Sequence, residues 1–299
     1  MKVLMTGGTG FIGKYLSRYL SEQGHQIAIL SRHPGKNQEL DSDKITVEAW
    51  SEDLSSTLSR VDGIINLAGE NISSQRWTAA VKKRILESRV KTTRAIVDGI
   101  KKTENKPKVL LSASAVNYYG DHGRDRIRET VPPANDFLGL VCQQWEDEAR
   151  KAEAYDIRTV ITRIGLPMQT DGGVLNKMLT PFKLGVGGPL GNGRQFFPWI
   201  HMLDLCRAFD FLLTSEELSG PFNITAPTPV TMRQFAVELG KVLHRPAWLP
   251  VPKIALEIVL GELAKPIMAS MRVVPQNLLN AGFNFQFEEL GPALKDILG

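Results

Sequence analysis

Two sets of residues in this 299-residue chain have the types and spacing for chemistry. The first is Gly7, Gly10 and Gly13, spaced G-x-x-G-x-x-G. One glycine lets the chain turn sharply off a strand. One removes the Cβ that would keep a pyrophosphate from the backbone. One lets the following helix sit close to the sheet. The loop of Gly7, Thr9, Gly10, Phe11, Ile12 and Gly13 then offers a cradle of backbone N–H groups, with the positive end of a helix dipole behind it. That is chemistry for binding a dinucleotide. The second set is Ser114 with Tyr118 and Tyr119, hydroxyls able to polarise a substrate oxygen and pass it a proton.

The surrounding elements must place both sets at one edge. An apolar run, Lys2 to Thr6, leads into the glycines, and a helical pattern from Phe11 to about Gly24 follows. A second strand, Gln26 to Leu30, comes next, which is the context that separates a nucleotide loop from an ordinary strand–helix turn. Ser31 and Arg32 stand at its end, and the first acidic residue, Glu39, lies beyond the turn. An acid at that position would hydrogen-bond the ribose hydroxyls of NAD, whereas a cation beside a hydroxyl suits the 2′-phosphate of NADP. NADP is therefore the expected cofactor.

Lys44 to Glu48 reads as an edge strand, and Val61 to Gly69 as a buried one. The latter ends in Leu67, Ala68, Gly69 and Glu70, small enough for backbone to approach the cofactor. A helix from Thr78 to Lys102 carries its many charges on a solvated face. Ser114 falls at the C-terminal end of a strand from Lys108 to Val116, the edge at which open parallel sheets bind ligands. Phe137 to Tyr155 is expected to be helical, with Cys142 on its apolar stripe. Arg163 ends the next strand and is a candidate to meet the cofactor or an anionic substrate, or equally to be a salt-bridged edge residue. Asp204 reads as a helix-start residue, and Trp77 as either a core residue or part of the pocket frame.

This alternation predicts an α/β fold, a doubly wound parallel sheet. After it the composition changes. Asp171 to Trp199 is rich in glycine and aromatics, as a ligand lid or floor would be. Lys177 to Leu184 could form a helix within it, and Met232 to Leu243 is expected to be helical with Thr231 as its cap. From Pro246 on, prolines punctuate short helices over Ile254 to Ala264, Ile267 to Met271 and Gln276 to Asn280. The expected division is residues 1–165 for the cofactor domain, 166–249 for a mixed segment that returns to it, and 250–299 for a small helical cap.

The net charge of +4 is spread without a basic block, so no nucleic-acid partner is expected. The two cysteines and five histidines show no ligand spacing, so neither a disulfide nor a metal site is expected. No apolar run has membrane-spanning length, and the first strand begins at once, so the expectation is a cytoplasmic protein without a signal peptide. Its expected partner is a small-molecule substrate, with a homodimer left open.

The chain resembles the short-chain dehydrogenase/reductase superfamily, in its extended, epimerase-like branch. The resemblance rests on Gly7 to Gly13, Asn66-Leu-Ala-Gly69, Ser112-Ala-Ser114, Tyr118-Tyr-Gly120 and Trp199-Ile-His-Met-Leu-Asp-Leu205. Asn66 to Asn71, Arg76-Trp77 and Gly187-Gly-Pro-Leu-Gly191 are similar to the group known as epimerase family proteins. It implies a Rossmann-type sheet with a helical C-terminal substrate region, and a possibility of nucleotide-sugar-like substrates. It also implies a Ser/Tyr/Lys relay, in which a lysine four residues after the tyrosine makes the phenol acidic. This sequence departs from that pattern. No tyrosine has such a lysine, and Leu138 and Cys142 occupy the two positions. Two functions follow: an NADP(H)-dependent oxidoreductase or epimerase using Ser114 with Tyr118 or Tyr119, or a module that binds NADP(H) without turnover.

Overall fold

The computed structural model describes residues 1–36 and 38–299. Its centre is a seven-stranded sheet made of β1 (Lys2–Thr6), β2 (Gln26–Ser31), β3 (Ile45–Ala49), β4 (Gly63–Asn66), β5 (Val109–Ala115), β6 (Arg158–Ile164) and β7 (Gly220–Ile224). The spatial order is β7-β6-β5-β4-β1-β2-β3. Every pairing is parallel, so all strand C-termini share one edge. The expected doubly wound sheet is what forms.

The longer helices are α1 (Phe11–Glu22), α2 (Ala79–Lys102), α3 (Phe137–Arg150), α4 (Gly173–Lys183), α5 (Met202–Thr214), α6 (Met232–Leu243) and α7 (Leu290–Leu298). Side chains on a strand alternate between faces, so β1 feeds two cores. Val3 and Met5 pack with Leu16 and Leu20 of α1 and with Leu205, Phe209 and Leu212 of α5. Leu4 packs on the other face with Ile96, Val97 and Ile100 of α2. A separate apolar cluster joins α4, α6 and α7 through Leu175, Phe182, Phe235, Leu239, Leu290 and Leu294. Thr231 caps α6 in a capping box with Gln234, satisfying amides that the helix itself leaves open.

Some expected boundaries move. The helix from Phe137 stops at Arg150 and tightens into a 3-10 turn over Lys151–Tyr155. The helix expected from Lys177 starts four residues earlier, at Gly173. The one expected from Ile254 to Ala264 breaks at Gly261, whose φ of 60° cannot continue a helix. The helix expected over 267–271 lies earlier, at Ala264–Met268, and past it the chain forms a short strand, Arg272–Val273, parallel to Arg126–Ile127. This pairing, with Ser270 Oγ donating to the Gly123 carbonyl, ties the C-terminal region to the sheet edge. Among the described residues, no helix is long and apolar enough to cross a membrane.

Candidate active site and cofactor cradle

The glycine loop is shaped as its spacing requires. Gly7 has a φ of 72°, in the left-handed region, and a Cβ there would lie 2.7 Å from the Leu67 carbonyl carbon. Leu67 and Ala68 are thus packed directly against the glycine turn. A Cβ on Gly13 would collide with the Gly7 carbonyl and Gly8 Cα, so this glycine seats α1 on the loop. Gly10 differs: its Cβ would meet only the Gly7 oxygen, at 3.2 Å, and Gly10 is exposed. Helix α1 begins without a side-chain cap and without an acid in its first turn. Its opening amides therefore have no side-chain partner, as a pyrophosphate-binding helix needs. The Phe11 ring lies against Gly172 and Gly173, which seats the glycine-rich segment after β6 over this cradle.

At the end of β2, Ser31 is buried and its Oγ accepts the His33 amide at 3.1 Å, while Arg32 is exposed. Glu39, the first acid after the strand, is paired with Lys14 of α1 at 3.0 Å. Glu70 receives Arg84 through both carboxylate oxygens. Its carbonyl accepts from Arg89, which also stacks over Trp145 at 5.2 Å. Gly69 makes room for that guanidinium, since a Cβ would lie 2.9 Å from its carbon. Burial lowers the Arg89 pKa. Beneath, Asn66 bridges three elements: it accepts from Thr6 at 2.7 Å and donates to Thr93 at 2.8 Å and Ser112 at 3.4 Å.

Strand register sets the second half of the site. Ser114, Arg163 and Asn223 are direct neighbours across β5, β6 and β7. Ser114 Oγ donates to Glu146 Oε1 at 2.7 Å. Arg163 grips the same carboxylate from two sides, Nε to Oε1 at 2.9 Å and Nη2 to Oε2 at 2.8 Å. Burial opposes the charge on Arg163, but Glu146 outweighs it and holds the proton more firmly than usual. Arg163 Nη1 donates to Tyr119 Oη and to the Glu129 carbonyl, each at 2.9 Å.

Two expectations are corrected here. Arg163, a candidate to meet the cofactor, is 2% exposed and spends its donors on Glu146, Tyr119 and Glu129. Tyr119, a candidate proton donor, is 1% exposed, and its Oη donates to Asn223 Oδ1 at 2.6 Å. Burial pushes its phenol well above the ordinary range in spite of Arg163. Both residues are therefore bonded inside the protein and do not reach the cofactor or a substrate directly. Tyr118 ends a 3-10 turn after β5, is half-buried, and has its ring centroid 3.6 Å from the Arg163 guanidinium carbon. Burial raises its pKa, with Arg163 pulling it back down. Cys142 is 4% exposed and its thiol is pushed up to about 11 by burial, so it behaves as a small apolar residue.

Other residues weighed from the sequence find structural work. Trp77 is half-buried, packed edge-on against Phe137 with 5.1 Å between centroids, so it belongs to neither main core. Arg76 is exposed and donates to the Ile258 carbonyl at 2.6 Å, and Lys82 pairs with Glu262. These contacts fasten the C-terminal helical segment over the loop that follows β4. Asp204 lies in the first turn of α5, in keeping with its reading as a helix-start residue, while the cap itself is His201. His201 Nδ1 accepts the Leu203 amide in that role, while the wholly buried Asp204 accepts the amides of Gln286 and Phe287, each at 2.8 Å. Glu146, Glu129 and Asn223 had no signal of their own in the sequence. Glu146 could have been found one helical turn beyond Cys142, on the face that meets Ser114. A cavity of about 690 Å³ lined by Arg233, His244 and Trp248 lies beside α6; none of the site residues named from the sequence lines it.

Comparison with known proteins bears on this arrangement. The description "NAD dependent epimerase/dehydratase family" matches residues 3–225, and "domain of unknown function (DUF1731)" matches residues 251–297. The epimerase family protein YfhF of Bacillus subtilis is 38% identical over 302 residues, covering 100% of this chain and 98% of its own. The crystal structure of human epimerase family protein SDR39U1 with NADPH is 34% identical with a TM-score of 0.88, over 99% of each chain. A nucleoside-diphosphate sugar epimerase from Corynebacterium glutamicum is 28% identical with a TM-score of 0.79, and the match spans 58% of that protein.

Proposed function

The chain belongs to the NAD-dependent epimerase/dehydratase family, and from that membership we propose that it is an NADP(H)-dependent oxidoreductase or epimerase acting on a small, nucleotide-sugar-like substrate. The observation that carries the reading is the acid-free, uncapped start of α1, where a Cβ on the exposed Gly10 would meet only the Gly7 oxygen. The Gly7–Gly13 amides hold the pyrophosphate, Leu67 to Glu70 flank the cofactor, and Ser31 and Arg32 take the 2′-phosphate. The relative crystallised with NADPH supports this choice, as does the engagement of Glu39 by Lys14. The bound nicotinamide supplies or accepts a hydride.

The chain's own residues handle the proton. Ser114 gives its hydrogen to Glu146, so it meets a substrate as an acceptor and orients a substrate hydroxyl. Tyr118 holds its proton at neutral pH, because burial raises its pKa, and donates it to a substrate oxygen. The test has two parts. Calorimetry should show NADPH binding that is lost in Gly10→Val. A panel of carbonyl compounds and nucleotide sugars should then reveal NADPH oxidation that depends on Tyr118. One observation favours a second reading, a binding or sensing module. Leu138 and Cys142 are buried at the positions where a relay would carry its tyrosine and lysine. Tight NADPH binding with no turnover on the whole panel would select that reading.

A further inference from the structure

We infer that Arg163 is the positioning residue for proton transfer at this edge: its guanidinium, under the Tyr118 ring and gripped by Glu146, stabilises the phenolate that Tyr118 becomes. This rests on the reading of Tyr118 as proton donor.

The geometry is direct. The Arg163 guanidinium carbon lies 3.6 Å from the Tyr118 ring centroid, well inside the range over which a cation is drawn to an aromatic face. That attraction grows when the ring carries a negative charge, so the cation favours the ionised form. Arg163 is itself buried, so water screens this interaction little. The position where a relay lysine would stand holds Cys142, whose thiol burial keeps neutral at physiological pH. The charge therefore reaches the phenol from the sheet side and not from α3.

The groups facing Tyr118 can be named. Arg163 and Arg150 favour ionisation, and Glu146 opposes it. Glu146 also accepts from Ser114 and partly neutralises Arg163. Glu129, whose carboxylate accepts the amides of Asn223 and Asn277, touches Arg163 through its backbone carbonyl. Ser114, Glu146, Arg163 and Tyr118 thus form one coupled unit, in which the charge on Glu146 tunes how much of the Arg163 charge Tyr118 feels. The step is a proton transfer alone. The Tyr118 Oη–H bond breaks, its electron pair stays on the phenolate above Arg163, and the proton goes to a substrate oxygen. Solvent water returns a proton afterwards.

The experiment titrates the phenol in the full-length protein without cofactor or substrate. Tyrosine is labelled with 13C at the ring ζ-carbon, Tyr118→Phe assigns the resonance, and circular dichroism marks the pH range in which each variant stays folded. Glu146→Gln removes the opposing charge and keeps the shape, so the Tyr118 midpoint should fall by about one pH unit or more. Arg163→Met should move it the opposite way by a similar amount. A purely structural role would shift both variants alike or neither. Where Arg163→Met does not fold, Glu146→Gln decides alone. Where the wild-type phenol does not ionise before unfolding, a midpoint brought into range by Glu146→Gln supports the coupling. An unmoved or raised midpoint in Glu146→Gln overturns it. Because the titration needs no turnover, loss of this coupling and absence of enzymatic activity are separate results.

Discussion

Ser114 and Glu146 are joined by a 2.7 Å hydrogen bond in which the serine is the donor. Arg163 holds both carboxylate oxygens, so Glu146 has only lone pairs to offer. The hydroxyl of Ser114, 3% exposed, has given its hydrogen to Glu146 and keeps only acceptor sites. Ser114→Ala should lower turnover by about 100-fold or more, as loss of a group that aligns a transferring proton does. The assay is NADPH oxidation once a substrate is identified, and full activity in Ser114→Ala would remove this residue from the mechanism.

Tyr118 and Tyr119 should separate cleanly. Tyr118→Phe should cost turnover on the order of 100-fold with little change in melting temperature. Tyr119→Phe should do the reverse. Its Oη is the donor to Asn223 Oδ1 and the acceptor for Arg163, and leaving such buried partners unpaired costs about 1–3 kcal/mol of stability. Cys142→Ala should retain activity. A melting-temperature loss in Tyr118→Phe with normal turnover, and the opposite in Tyr119→Phe, would reverse the assignment.

The glycines differ in what a side chain would meet. Gly10→Val should spare the fold and abolish NADPH binding, because its Cβ points into open space apart from the Gly7 oxygen. Gly13→Val should lower thermal stability before any binding question arises, since its Cβ would collide with the Gly7–Gly8 backbone. Melting curves and calorimetry on the two variants separate these outcomes.

Cofactor choice should sit at Arg32. A charge-assisted hydrogen bond contributes about 1.5–3 kcal/mol, so Arg32→Asp should weaken NADPH binding by roughly 10- to 100-fold. NADH affinity should change far less. Equal losses for the two cofactors would move the 2′-phosphate contact elsewhere.

His201 gives the fold a pH dependence. Burial lowers its pKa below the ordinary value of about 6.5, with Asp296 and Asp204 pulling the other way. The unfolded chain thus takes up a proton at a pH where the folded chain does not. The stability from neutral, buried His201 is complete above about pH 6.5 and is lost as pH falls from there through the folded pKa. His201→Asn keeps a capping side chain and removes the titration. Its melting temperature should fall less between pH 7 and 5.5 than that of the wild type, and parallel curves would rule this group out.

The cofactor half of the molecule was legible because its signals are local. Glycine spacing, an apolar run before it and a helical period after it lie within 25 residues, and each acts through backbone geometry that no distant contact can replace. The Thr231 cap was legible for the same reason. The helix boundaries at Arg150 and Gly261 were not. Apolar periodicity runs on through Ala152, and whether a last turn is α or 3-10 depends on what it packs against.

The half proposed to handle the proton divides differently. Ser114 and Tyr118 could be named from their place at the end of a strand. Seeing that Tyr119 and Arg163 are buried and bonded internally needed the register that sets Ser114, Arg163 and Asn223 side by side, residues 49 and 60 positions apart along the chain. Residue types announce which groups can carry a proton or a charge. Burial and partners decide which do, because a buried arginine chelated by a glutamate and an exposed one facing a phosphate are the same letter in the chain. Those partners arrive from other strands and helices, and only the packed sheet brings them within hydrogen-bonding distance.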